Sequence, residues 1–269
     1  MLYAHPDLNA VALFRRGGPN DPGGATGNKG NKIYYDLSTN GGSLWQAAKG
    51  KLHDDDDYQS LMQPPNATYG GRVPIGLIWN PPGNTNINNA FVAGFSPVLS
   101  NPQYWWGALA YTSSKVGSPA AVHTNLIDDT TFSRMVGYSV AVNAAGHIIH
   151  VEKEIKSKFT ENGDIINFYT GNLIITKFII NPENGAMTHE AKKIALPGNP
   201  EKLHYNILNP KINFAPDGTI GYISFLAYLG DSVLQRRKLY YPFVLKSTDG
   251  GENWSSPYTI SLSDDPNFI

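Results

Sequence analysis

Ser247-Thr248-Asp249-Gly250-Gly251-Glu252-Asn253-Trp254 decides how the chain reads, and it has a twin at Ser38-Thr39-Asn40-Gly41-Gly42-Ser43-Leu44-Trp45. Each copy follows a short run with strand alternation and β-branched or aromatic enrichment: Tyr241-Pro242-Phe243-Val244-Leu245-Lys246 in one case, Lys32-Ile33-Tyr34-Tyr35-Asp36-Leu37 in the other. Both copies therefore read as turns of β-hairpins. An Asp or Asn at the head of a tight turn accepts hydrogen bonds from backbone N–H groups one or two residues on, and the glycines that follow take positive φ without a Cβ clash. The Trp, three residues past the second Gly, is expected to fold back as an apolar plug beside the hairpin. Turn chemistry repeated at the Ser, the acid or amide, both Gly and the Trp points to a repeated structural unit.

The pattern resembles the Asp-box, or BNR repeat, of sialidase-like β-propellers, whose motif runs Ser-x-Asp-x-Gly-x-Thr-Trp. The second copy matches at Ser247, Asp249, Gly251 and Trp254, with Asn253 in place of the Thr. The first keeps Ser38, Gly42 and Trp45, with Asn40 for the Asp and Leu44 for the Thr. The resemblance implies structural hairpins set away from any ligand face, so it bears on fold and not on catalysis.

Composition bounds the rest. A chain of 269 residues is within reach of a single all-β domain. Gly 27, Pro 19 and only 16% charged residues, against a typical ~25%, describe a turn-rich chain poor in helix formers. The formal net charge is −1 and the arginines are scattered, which argues against nucleic acid as a partner. The longest apolar run, Leu173 to Ile180, is interrupted by Lys177 and falls short of the ~18 residues of a membrane span. Met1-Leu2-Tyr3-Ala4-His5-Pro6 lacks the basic and apolar regions of a signal peptide. With no cysteine there is no disulfide framework, a state that suits either an exported bacterial protein or a cytosolic one. The chain is expected to be a piece of a longer precursor.

Taken in order, the strand signals fall into blades at approximately 9–50, 70–128, 135–196 and 204–262. The first has three strands, starting with Ala10 to Arg15, and its fourth is expected to be missing or supplied from elsewhere. The third and fourth share a second repeat. Val140-Ala141-Val142-Asn143-Ala144-Ala145-Gly146-His147-Ile148 lines up with Ile212-Asn213-Phe214-Ala215-Pro216-Asp217-Gly218-Thr219-Ile220, each a strand, a turn ending in Gly and a strand. Val136, Tyr138, Val140 and Val142 share one strand face; Gly137, Ser139 and Ala141 form a small-residue face that lets a neighbouring sheet approach closely. The fold class is all-β: a β-propeller domain over 1–269, with about four blades of four antiparallel strands, expected to belong to a ring of about six to eight blades.

Several residues are candidates for chemistry. Arg72-Val73-Pro74 is similar to the Arg-Ile-Pro motif that carries the first arginine of a sialidase triad, but it follows a box where that family places it before one. Arg15, Arg16, Arg134, Arg236 and Arg237 sit in no context that completes a triad. His150, Glu152 and Glu154 share one strand face, read as an exposed edge, and nothing separates the two carboxylates into acid and base. His147 and His150 point to opposite faces, against a shared metal. Asp54, Asp55, Asp56 and Asp57 read as a solvated loop; calcium is the one cofactor that they admit, without the alternating spacing of a dedicated loop. Tyr104-Trp105-Trp106 and Trp79, read as flat rings at loop mouths, would suit sugar or peptide stacking.

A looser resemblance covers Arg72-Val73-Pro74-Ile75-Gly76, Trp79-Asn80-Pro81-Pro82-Gly83-Asn84-Thr85 and Phe214 to Tyr222. These look like segments of large secreted proteins of Bacteroidetes-type bacteria that pair a propeller with a type IX secretion sorting domain. The resemblance implies a secreted or outer-membrane-associated location. The sequence therefore leads to a non-enzymatic propeller module, a scaffold for a glycan or protein partner at the cell surface. The alternative is a sialidase-like glycoside hydrolase.

Overall fold

The structure, a computed structural model, describes residues 1–16, 21, 33–53, 75–101, 104–118, 123–127, 134–159, 165–196, 208–228 and 240–259. Their regular structure is strand, apart from short 3₁₀ turns at Pro6–Leu8 and Ile87–Asn89. No helix among the described residues is long and apolar enough to cross a membrane.

The strands are β1 (Leu2–His5), β2 (Ala10–Arg16), β3 (Ile33–Ser38), β4 (Gln46–His53), β5 (Ile75–Trp79), β6 (Phe91–Asn101), β7 (Tyr104–Lys115), β8 (His123–Ile127), β9 (Arg134–Val142), β10 (Ile148–Phe159), β11 (Ile165–Ile180), β12 (Met187–Ala195), β13 (Leu208–Phe214), β14 (Gly221–Tyr228), β15 (Tyr240–Ser247) and β16 (Tyr258–Thr259). β1–β4 and β13–β16 are four-stranded sheets with sequential order. β5–β8 and β9–β12 are two more such groups, joined through one register pair, Gly107↔Arg134. The protein is all-β and is built of four antiparallel four-stranded blades of propeller type.

One strand escaped the sequence reading. The first blade is complete, because Leu2–His5 pairs antiparallel with β2 from Leu2↔Leu13 to His5↔Ala10. Pro6 and the 3₁₀ turn that it opens hide this strand, which is only four residues long.

The chain divides into two compact units: residues 1–137 with 179–188, and residues 138–178 with 189–269. In the first unit Leu8, Ala12, Phe14, Tyr35, Leu37 and Leu52 of the first blade form one core with Ile78, Val92 and Val116 of the second. The Tyr35 hydroxyl reaches across to accept from the Gly117 N–H at 2.7 Å, so its polar end is satisfied where its ring is buried. In the second unit Ile149, Val151, Leu173 and Ile175 of the third blade pack on Ile212, Ile223, Phe225, Phe243 and Leu245 of the fourth. Small residues do bring these sheets close. Ser139 is buried at 7% and its hydroxyl meets the Ile212 backbone, accepting from the N–H at 3.2 Å, while Ala141 lies against the shared core.

The two hairpins named first have the same atomic wiring. In the second unit the Ser247 hydroxyl donates to Asp249 Oδ1 at 2.8 Å and accepts the Gly251 N–H at 2.8 Å. Asp249 Oδ1 accepts the Asn253 N–H at 2.8 Å, and Trp254 Nε1 donates to the Gly251 carbonyl at 3.0 Å. In the first unit Ser38, Asn40, Gly42, Leu44 and Trp45 make the corresponding four bonds, each at 2.9 Å. Both glycine pairs have positive φ: 67° and 94° at Gly41 and Gly42, 69° and 90° at Gly250 and Gly251. The charge differs. Donors from the Asn253 backbone, the Asn253 amide and Ser247 hold the Asp249 carboxyl down at about 2, whereas Asn40 accepts without a charge to titrate.

The Trp rings also differ, and here one expectation is corrected. Trp254 is half-buried, its ring centroid 6.5 Å from that of Phe214, but Trp45 is 43% exposed and, among the described residues, joins no core cluster. The cause is the neighbour and not the turn. A Cβ on Gly251 would meet Phe214 at 3.2 Å and Ile149 of the third blade at 3.8 Å, whereas one on Gly42 would meet nothing within 4 Å. Trp254→Ala is therefore expected to destabilise its unit by about 1–3 kcal/mol, and Trp45→Ala by less than ~1 kcal/mol. Urea unfolding checks this, and equal losses at the two positions would contradict the assignment of the plug to a covering blade.

Candidate functional site

The charged groups of the third blade were expected at an exposed edge, and the structure buries them. β10 is an interior strand, hydrogen-bonded to β9 on one side and β11 on the other, so neither of its edges is free. His150 and Glu152 are 0% exposed and Glu154 is 2% exposed. Strand alternation puts His150 and Glu152 on one face, with Thr176 opposite His150 and Ile174 opposite Glu152 on β11, and Glu154 follows at a register shift in the ladder. His150 Nδ1 lies 3.7 Å from Glu152 Oε2. Glu154 Oε2 accepts from Asn172 Nδ2 at 2.5 Å, and its other oxygen meets Lys193 Nζ at 3.2 Å. A buried carboxylate costs several kcal/mol unless it is paired and hydrogen-bonded, and Glu154 has both compensations.

The opposite face of β10 holds the core, and Lys153 intrudes on it. Lys153 is 3% exposed, follows Val151 on that face and pairs in register with Leu173. Burial pushes its ammonium down to about 8.

A second charged group straps the third blade to the fourth-blade hairpin. Lys177 Nζ lies 3.0 Å from carboxylate oxygens of both Glu190 and Glu252. Lys192 Nζ donates to the Gly251 carbonyl at 3.2 Å and to that of Glu252. Beneath them Ile149 and Ile175 floor a hollow of about 150 Å³. Asn143 adds a polar clip: its amide donates to the Gly250 carbonyl at 2.7 Å, and its oxygen accepts the N–H groups of Ala145 and His147. In the first unit Arg15 is gripped by Asp36 and by Asp21, each through two oxygens at 2.7–2.9 Å.

The other candidates fare as follows. Trp79 is no loop-mouth ring: it is 4% exposed, with its centroid 6.0 Å from that of Phe91, because every residue of β5 is buried. The adjoining Pro-Pro-Gly loop is closed by its own amides, Asn80 donating to the Asn84 carbonyl at 2.8 Å and Asn84 to Asn80 Oδ1 at 2.7 Å. Tyr104, Trp105 and Trp106 open strand β7 instead of sitting in a loop; their side chains lie outside the described residues. Arg72 and Asp54 to Asp57 also lie outside them. Among the described residues no group of three or more His, Asp or Glu is placed to hold a metal. Sequence reasoning missed the Lys177–Glu190–Glu252 and Arg15–Asp21–Asp36 clusters, because each combines a residue of a neighbouring strand with one of a loop or turn and no spacing motif marks either.

No family model matches this chain, and no curated protein matches it. Solved structures similar in chain path include the GH43 endo-arabinanase from Bacillus licheniformis, at 11% identity and TM-score 0.48, covering 97% of this chain and 79% of that one. Another is a mutant α-L-arabinanase of Cellvibrio cellulosa, at 12% identity and TM-score 0.45, covering 95% of this chain and 72% of that one. Likenesses of this extent carry no residue role over to this chain.

Lys153 gives a sign-definite pH test. Between about pH 8 and 10.5 the unfolded chain holds a proton on this lysine that the folded chain has released, so its contribution to stability rises with pH across that window. Below pH 8 both states are protonated and folding bears the full cost of burying the charge. Lys153→Met should raise stability at pH 7 by ~1–3 kcal/mol and flatten the rise between pH 7 and 10. Urea titrations of both proteins at the two ends of that range measure this; a variant less stable at pH 7 would contradict it.

Proposed function

We propose that this chain is a non-enzymatic propeller module, a rigid scaffold for a glycan or protein partner, carried by a secreted or outer-membrane-associated protein exported through type IX secretion. One observation supports it: charged groups that carbohydrate hydrolysis would recruit serve each unit's own structure. Arg15, whose guanidinium could grip a substrate carboxylate, is held by Asp21 and Asp36. Glu154, one of the two carboxylates considered for an acid–base pair, is buried against Asn172 and Lys193. Hairpins wired through side-chain hydrogen bonds and laced to their neighbours suit a platform that holds its shape while a partner binds at its surface.

The test uses a panel of fluorogenic glycosides, sialosides and arabinosides included, beside affinity electrophoresis in gels cast with neutral and acidic polysaccharides. The expected result is retardation by at least one polysaccharide and turnover of none of the glycosides. Turnover lost in Arg72→Ala would instead establish the sialidase-like reading.

A further inference from the structure

The fourth blade has two unlike faces. One is the apolar wall of the core, formed by Ile212, Ile223, Phe225, Phe243 and Leu245. The alternation of the same strands sends another set outward. Tyr222 is 43% exposed and Tyr258 64% exposed, on β14 and β16 respectively. Register puts Asn213 opposite Tyr222 and Tyr222 opposite Lys246, in one row across three strands. The next row brings Lys211 opposite Ser224, and Tyr258 closes that row on β16. Among the described residues this face carries two lysines and no acidic side chain.

The geometry points to this face as a binding platform for a carboxylated oligosaccharide, an inference that rests on the scaffold reading above. Three features select that ligand. Exposed phenol rings on one face of a sheet offer apolar faces against which pyranose rings stack, with hydroxyls at the rim for hydrogen bonds. The two tyrosines are separated by two strand spacings of ~4.8 Å and one two-residue step of ~6.7 Å, so a single sugar cannot cover both and a chain of sugars can. Lys246 stands beside Tyr222 in the row and supplies the charge complement of a uronate or sialate carboxylate, with Lys211 adding to the field.

Polygalacturonate and its methyl-esterified form are the probes, since they share a backbone and differ in charge. Affinity electrophoresis and calorimetry should show wild-type protein binding polygalacturonate, with esterification or 0.5 M salt weakening it. Tyr222→Ala, Tyr258→Ala and Lys246→Glu should each weaken it by about tenfold, with unchanged circular dichroism. If the variants bind as the wild type does, the acidic glycan sits elsewhere: the platform is overturned and the scaffold reading stands. If wild type binds neutral polysaccharides alone, the acidic specificity is wrong. If it binds no polysaccharide, both the platform and the glycan side of the scaffold reading fall. A dimer in size-exclusion chromatography that Tyr222→Ala dissociates would make this face an interface between copies and overturn the inference.

Discussion

The hydroxyl of Ser247 donates to the Asp249 carboxylate while it accepts the Gly251 N–H, and by doing both it fixes a corner of the chain. A bent backbone has amides with no ladder partner, and leaving them unsatisfied would cost ~1–3 kcal/mol each where water is excluded. The Ser–Asp pair answers two of them, at Gly251 and Asn253, and the glycines accept the positive φ that brings them into range. Ser38 and Asn40 repeat the arrangement with a neutral acceptor. The carboxylate is thus dispensable for the geometry, and the Ser, the second Gly and an Asx oxygen are what the corner requires.

What the corner does then depends on what covers it. In the second unit Asn143 clips the Gly250 carbonyl, Ala144 N–H meets the Gly218 carbonyl at 3.0 Å, and Lys192 caps the carbonyls of the turn. A turn that would otherwise be an isolated loop becomes the place where two blades are laced, and Trp254 gains a wall to pack against. In the first unit the same turn has no cover at Gly42, and Trp45 remains exposed. Charge is handled by the same economy. Arg15 and Lys177 each sit between two carboxylates, one on the next strand and one in a loop or turn.

The blade architecture was legible because it is written in local chemistry: alternation, Asx-Gly turns and a repeated Trp, each read within a window of about ten residues. The close approach at Ser139 was legible for the same reason, since small residues on one strand face have a single geometric use. Burial was not. His150, Glu152 and Glu154 look like an exposed edge because three polar residues alternate; in the fold β10 has a strand on each side and these side chains are buried, and no local window contains either fact. Trp79 beside a Pro-Pro-Gly loop looks like a rim aromatic, but the Asn80–Asn84 pair closes the loop and leaves the indole in the core. β1 was missed because its signal is four residues long and only its pairing with β2 identifies it.

Amide hydrogen exchange in the native protein reaches the central claim most directly. The amides of Gly42, Leu44, Gly251 and Asn253 lie in turns outside any strand ladder, so only the Ser and Asx side chains can protect them. The account predicts slowed exchange at all four, with Ser247→Ala releasing Gly251 while the protection within β14 stays unchanged. Exchange at all four at the rate of an open loop would contradict it, because the corners would then be held by something other than these side chains.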